Sequence, residues 1–322
     1  MSTTSPTTKS DAKRLVAGVA VGLIAASIGA LYTVYARWGI SRGVGTADLT
    51  ALRFGTAGLA TLPLLVQILW LDARGFMKRW RVWLLISVLA GTPFGLLMFG
   101  ALQLAPQSHA AVFPFATMSV MGLVLSAWLL GDALPPRRIA GIALVIAGLL
   151  VLSGVADSSF TTQALLGDLV FVAAGTLWAG FGIVLRRARL DPLVSTAVIS
   201  FSALCTYVPV YLLMGGGTRL MAVAPPVLLV ELFVQGLIAG VGTLYFYAKM
   251  VSLLGPARAS IFPALAPGLA ALMAWPVLGH IPSADEAVGL AIAMAGLLIA
   301  VTRTFERPQT RSEPATGSNR HF

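Results

Sequence analysis

Gly141-Ile142-Ala143-Leu144-Val145-Ile146-Ala147-Gly148-Leu149-Leu150 returns as Gly289-Leu290-Ala291-Ile292-Ala293-Met294-Ala295-Gly296-Leu297-Leu298, at a shift of 148 residues. Gly131 and Gly279 keep that shift, and Phe113-Pro114 returns as Phe262-Pro263 one residue further on. Ala30-x-Tyr32 falls opposite Ala179-x-Phe181, and Arg37 opposite Arg186. So apolar a chain yields single matches by chance, but not a common offset across several segments. The chain is therefore built from two copies of one unit.

Of the 322 residues, 57% are hydrophobic and only 11% charged. A soluble domain of this size has too little interior to hide that much apolar surface. The charges separate apolar runs of about the ~20 residues a helix needs to cross hydrocarbon. In lipid every backbone donor and acceptor must be satisfied within the protein, and unbroken apolar runs do so as helices. Ten spans are expected, at 15–36, 48–70, 82–104, 109–130, 138–154, 166–186, 193–214, 227–249, 259–279 and 287–302. This is an all-α integral membrane protein with two five-helix repeats, 12–156 and 164–303, between polar tails 1–11 and 304–322 that read as disordered. Five is odd, so the second copy enters the membrane from the opposite side. Inverted repeats are typical of secondary transporters, whose binding site lies near the midplane between the halves.

The net charge of +10 serves topology rather than nucleic acid. With a cytoplasmic N-terminus, Arg37, Arg42 and Arg219 lie outside, Arg53 lies within a span, and the other 18 of the 22 basic residues lie inside. That asymmetry puts both termini in the cytoplasm. The lone Cys205, within a span, reads as a small apolar filler. Trp70, Trp80 and Trp83 border a basic loop and read as interface anchors.

The ordered set of residues resembles the drug/metabolite transporter superfamily of the ten-helix EamA type over 12–303. It comprises Leu52-Arg53-Phe54, Gly131-Asp132, Arg138-Ile139-Ala140-Gly141 through Ala147-Gly148, Gly167-Asp168-Leu169 through Leu177-Trp178-Ala179, Ala257-Arg258-Ala259-Ser260 through Pro263 to Pro267, and Leu278-Gly279 through Gly289 to Gly296. Where that family usually has Gly-Glu after the fourth and ninth spans, Asp132 and His280 stand here. The resemblance implies export of small organic metabolites, amino-acid-like compounds or drugs by alternating access across a bacterial inner membrane. It also places a central cavity among helices one, three, four, six, eight and nine.

Aromatic and sulfur side chains on those helices are the candidate substrate contacts: Tyr32, Phe113, Met118, Trp178, Phe181, Tyr245 and Phe262. On helix eight, Glu231, Gln235, Ile238, Gly242, Tyr245 and Lys249 follow steps of three or four and form one stripe. This adds Gln235 to the cavity candidates. Arg53, deep in the second span, needs a partner. Arg53 lies about six residues and Glu231 about four into spans that enter from outside, so their depths agree and they are the charge or coupling candidates. Pro93, Pro114, Pro263 and Pro267, with Gly242, are the hinge candidates. No nucleotide-cradling motif, metal-ligand spacing or cofactor signature occurs, so the chain reads as no enzyme, with neither cofactor nor metal. The expected partners are a small-molecule substrate and the bilayer, with a homodimer left open. A phosphate-antiporting carrier of sugar phosphates or nucleotide sugars, and a membrane-embedded enzyme or scaffold, are the competing readings.

Overall fold

The computed structural model describes residues 6–152, 161–259, 262–279, 281 and 283–301. The expected tail 304–322 and His280 lie outside them. All regular elements among the described residues are helical. They are α1 (Pro6–Ile40), α2 (Thr46–Lys78), α3 (Trp80–Ala90), α4 (Thr92–Leu104), α5 (Gln107–Leu130), α6 (Pro136–Leu152), α7 (Thr162–Ala188), α8 (Pro192–Leu213), α9 (Gly216–Met221) and α10 (Pro225–Glu231). A π-helical segment, Leu232–Thr243, continues α10 into α11 (Leu244–Leu254). Then come α12 (Pro256–Ala259), a 3₁₀ turn (Phe262–Leu265), α13 (Ala266–Leu278) and α14 (Ala284–Val301).

Among the described residues seven stretches are long and apolar enough to cross a membrane, and Phe262–Leu278 is a shorter apolar helix. Their outer faces carry Leu59, Val66, Leu169, Leu213, Leu272 and Trp275, each more than half exposed. A water-soluble fold would bury such side chains; a bilayer solvates them. The protein is a multi-pass membrane protein. Exposed Cys205 joins this outer face rather than filling the interior.

Several helix ends follow from local chemistry. Asp191 caps α8 by accepting hydrogen bonds from the Leu193 and Val194 amides at 2.9 and 3.0 Å, with Pro192 at the first helical position. Thr161 caps α7 through the Ala164 amide at 3.1 Å. Gly131 and Gly279, equivalent in the two repeats, end α5 and α13 at φ 70° and 66°. That left-handed conformation suits a residue without Cβ.

The repeat also decides the packing. α6 and α14 run side by side in opposite directions, with Gly141 against Ala300, Gly148 against Ala293, Gly289 against Leu152 and Gly296 against Val145. Shifting by 148 residues exchanges these pairs with one another, as a two-fold axis between the helices demands. Small residues let the two backbones meet where lipid supplies no hydrophobic drive.

Two expectations need correction. The helix of the first span begins at Pro6, so 6–11 is not a disordered tail. Trp83 is no interface anchor. It is buried, stacked on Phe76 with centroids 5.3 Å apart, and its indole N–H donates to the Phe76 carbonyl at 2.8 Å; Trp70 and Trp80 are exposed. The third and eighth spans are irregular at equivalent places. The third breaks at Gly91, just ahead of Pro93, and the eighth is π-helical through Gly240 and Gly242. Pro114, by contrast, sits inside continuous α5, and Pro263 and Pro267 lie in the 3₁₀ turn and at the start of α13.

Candidate functional site

A narrow cavity of about 30 Å³ lies between the repeats. That is room for about two water molecules. It is lined by Ala25, Ala26, Gly29 and Tyr32 of α1, Phe94 of α4, Phe115 and Met118 of α5, and Trp178 of α7. Thr243, Tyr247 and Met250, then Phe262, Pro263 and Ala266, complete the wall. Tyr32, Met118, Trp178 and Phe262 among the sequence candidates thus line it. Trp178 is its centrepiece, with ring centroids 4.6 Å from Phe94, 5.0 Å from Tyr247 and 5.5 Å from Phe181.

The other candidates lie elsewhere. Phe181 stacks on Tyr247 at 5.9 Å, one layer behind the wall. Phe113 packs on His109 at 5.5 Å. Tyr245 is half-buried against Phe246, and Tyr247 takes the cavity position. The cause is the π segment. Its i→i+5 turns are wider than α-helical ones, so a stripe counted in steps of three and four drifts off the inward face. The sequence reading also missed Phe94 and Phe115. Pro93 marked the break that turns Phe94 inward, but a break does not say which ring follows it inside.

Behind the aromatic wall is a buried polar group. Arg53 is 1% exposed, with its guanidinium carbon 4.7 Å from the Tyr32 ring centroid, 5.8 Å from Phe54 and 5.9 Å from Phe94. Its three nitrogens make no hydrogen bond of good geometry among the described residues, and the polar group that interacts with them is the Tyr32 hydroxyl. Gln235, also fully buried, donates to the Tyr32 carbonyl at 2.8 Å. Glu231 lies against Gly39, and neither carboxylate oxygen has a hydrogen-bond partner of good geometry. No ion pair joins Glu231 to Arg53 in this conformation. Their equal depth is also corrected: packing brings Gly236 against Thr56 and Gly240 against Ala57 and the Arg53 carbonyl. The residues that meet Arg53 are therefore more than a turn along the helix from Glu231.

Two further buried polar groups sit at helix ends. His109 Nδ1 and Asp168 Oδ1 are 2.9 Å apart, joining α5 to α7. His109 and Asp168 are 59 residues apart in the chain, so nothing local in the sequence joins them. Asp48 accepts a hydrogen bond from the Tyr211 hydroxyl at 2.8 Å and another from the Gly45 amide at 2.8 Å.

One family model, that of the EamA-like transporter family, matches residues 16–154 and matches again at 165–302. The chain belongs to the EamA-like transporter family. Each EamA repeat supplies about half of the cavity wall, the first through α1, α4 and α5, the second through α7 to α13. No curated protein matches. Among solved structures a crystal structure of a protein is similar, with TM-score 0.62 and 23% identity over 88% of this chain and 96% of that one. At that identity the likeness speaks for the fold of the EamA protein and for nothing finer.

Proposed function

We propose that this EamA-family protein is a secondary carrier that exports small organic metabolites, amino-acid-like compounds or drugs by alternating access. It acts in the bacterial inner membrane with ten spans and both termini cytoplasmic. The observation that carries this reading is the narrow aromatic cavity lined by both repeats and flanked by repeat-equivalent irregular helices. A cavity holding about two waters fits a contracted, cargo-free state, since a metabolite requires several hundred Å³. Helices interrupted at Gly91 and through the π segment bend more readily than regular ones. α6 and α14 count as spans nine-tenths of the hydrocarbon in length, about 26 Å for the 17 residues of α6.

Coupling fits Glu231. If alternating access brings this carboxylate to Arg53 in one state and away from it in another, its proton affinity differs between the states, as a proton-driven carrier requires. A phosphate antiporter would need several cations converging on the cavity, whereas its wall among the described residues carries none. The test is flux in vesicles reconstituted with the purified protein. Compounds are chosen by a thermal-shift screen, since a ligand bound only by the folded state raises apparent stability. Flux that saturates and depends on the protein supports a carrier. Binding without flux would refute it.

A further inference from the structure

We propose that Arg53 and the N-terminus of α4 form the seat of an anionic substrate group, so that the cargo is a small organic carboxylate with an aromatic or apolar body. This rests on the transport reading above and names its substrate class.

Arg53 is the first observation. Desolvating an ion is costly. Cation–π contact with Tyr32 offsets only part of that cost. The guanidinium is 1% exposed, none of its five N–H donors makes a hydrogen bond of good geometry among the described residues, and its polar neighbour, the neutral Tyr32 hydroxyl, brings no negative charge. The buried acids do not supply the missing charge. Asp168 pairs with His109, Asp48 with Tyr211, and Glu231 rests against Gly39 with no ion pair to Arg53. A planar fork of donors matches a carboxylate in geometry as well as in charge.

The second observation is independent. The third span stops at Gly91, with φ −94° and ψ −136°, and restarts as the 13-residue α4 at Thr92. A helix N-terminus thus lies within the membrane; Pro93 carries no N–H and the Gly95 amide donates to the Gly91 carbonyl, so the Thr92 and Phe94 amides and the dipole are what favour negative charge there. Thr92 Oγ1 is buried there without a partner. Phe94, in the first turn of α4, joins the two features. Its ring lines the cavity and also lies against Arg53. Tyr32 has the same double contact. A ligand whose ring replaces the aromatic packing around Trp178 would reach the guanidinium once Tyr32 or Phe94 turns aside, and the break at Gly91 lets α4 swing. Ionised Glu231 and the substrate carboxylate would then compete for one cation, which links proton and cargo.

The experiment uses the full-length purified protein and paired probes: phenylacetate, 3-phenylpropionate and indole-3-acetate, each with its neutral amide. Thermal shift against concentration is read for wild type, Arg53→Lys and Arg53→Gln. The expected result is a preference for acid over amide on the order of tenfold, the size of a charge-assisted hydrogen bond. Arg53→Lys should keep part of it and Arg53→Gln none. The acid–amide comparison is made on wild type, so it stands even if a variant does not fold. Equal stabilisation by acid and amide, absence of acid-dependent stabilisation across the panel, or an acid preference that survives in folded Arg53→Gln would overturn the seat. Vesicle flux separates this from the transport reading. Amides carried as well as acids overturn the anion seat and leave transport standing. Acid-selective binding without flux overturns transport and leaves the seat.

Discussion

Gly148→Ala should destabilise the protein through the α6–α14 contact. A Cβ built on Gly148 lies 2.5 Å from the Ala293 amide nitrogen, 2.9 Å from Ala293 Cα and 2.9 Å from the Gly289 carbonyl oxygen. Ordinary contact begins near 3.4 Å. All three obstacles are backbone, so no side chain can rotate away and the helices must part by roughly 0.5–1 Å, within the range over which overpacking costs about 1–3 kcal/mol. Lipid gives back no hydrophobic energy for the separation. Because the pair is two-fold symmetric, Gly296→Ala should behave alike, its Cβ meeting the Val145 amide at 2.6 Å. Gly100→Ala is the matched control, since nothing lies within 4 Å of its Cβ. The assay is the temperature at which the detergent-solubilised protein leaves its monodisperse peak. Gly148→Ala and Gly296→Ala should each fall several degrees below both Gly100→Ala and wild type. Equal stability of all four proteins would refute the close antiparallel packing, and with it the placement of the two-fold axis.

The remaining predictions concern the site. Trp178→Ala and Tyr247→Ala should abolish most transport at matched membrane levels, whereas Tyr245→Ala should retain most of it; the reverse order for the two tyrosines would mean that the π segment does not set the inward face. Glu231→Gln should lose the component of vesicle flux driven by a pH gradient and keep substrate exchange, and an unchanged response to the gradient would remove Glu231 from coupling. Asp168→Ala should cost about 1–3 kcal/mol by leaving His109 buried without its partner, and adding His109→Ala should cost less than the sum of the two single changes; simple additivity would show that the 2.9 Å contact contributes nothing. Cysteines placed at Thr46, Thr161 and Gly216 in a Cys205→Ser background should react with an impermeant reagent from outside intact cells, and labelling at Ser10 or Ser318 instead would invert the topology.

Much of the fold was legible because its signals are local or periodic. Composition demanded lipid, run lengths set most of the spans, and a constant offset exposed the duplication. Gly131, Gly279 and the glycines of the opening segment were visible as repeat markers before any reason for them was known. The family model matches each of the two copies, at 16–154 and 165–302. Even the weak points of the third and eighth spans could be suspected from Pro93 and Gly242, since a missing donor or side chain marks a helix wherever it occurs.

The tertiary structure decided what depends on facing and on distant partners. A π segment changes the number of residues per turn, so Tyr247 rather than Tyr245 reaches the cavity, and no count along an assumed α-helix could find that. His109 and Asp168 meet only because α5 lies on α7, and each alone looks like an isolated polar residue. Arg53 and Glu231 seemed level when counted from the ends of their spans. Helix packing slides one against the other, and contacts between side chains respond to displacements of a single turn. Sequence by itself determined the solvent, the all-helical class and the two-fold plan, because each follows from local chemistry or from repetition; the π segment and which side chains share the cavity were decided in three dimensions, because helix rotation and axial offset are properties of packed pairs.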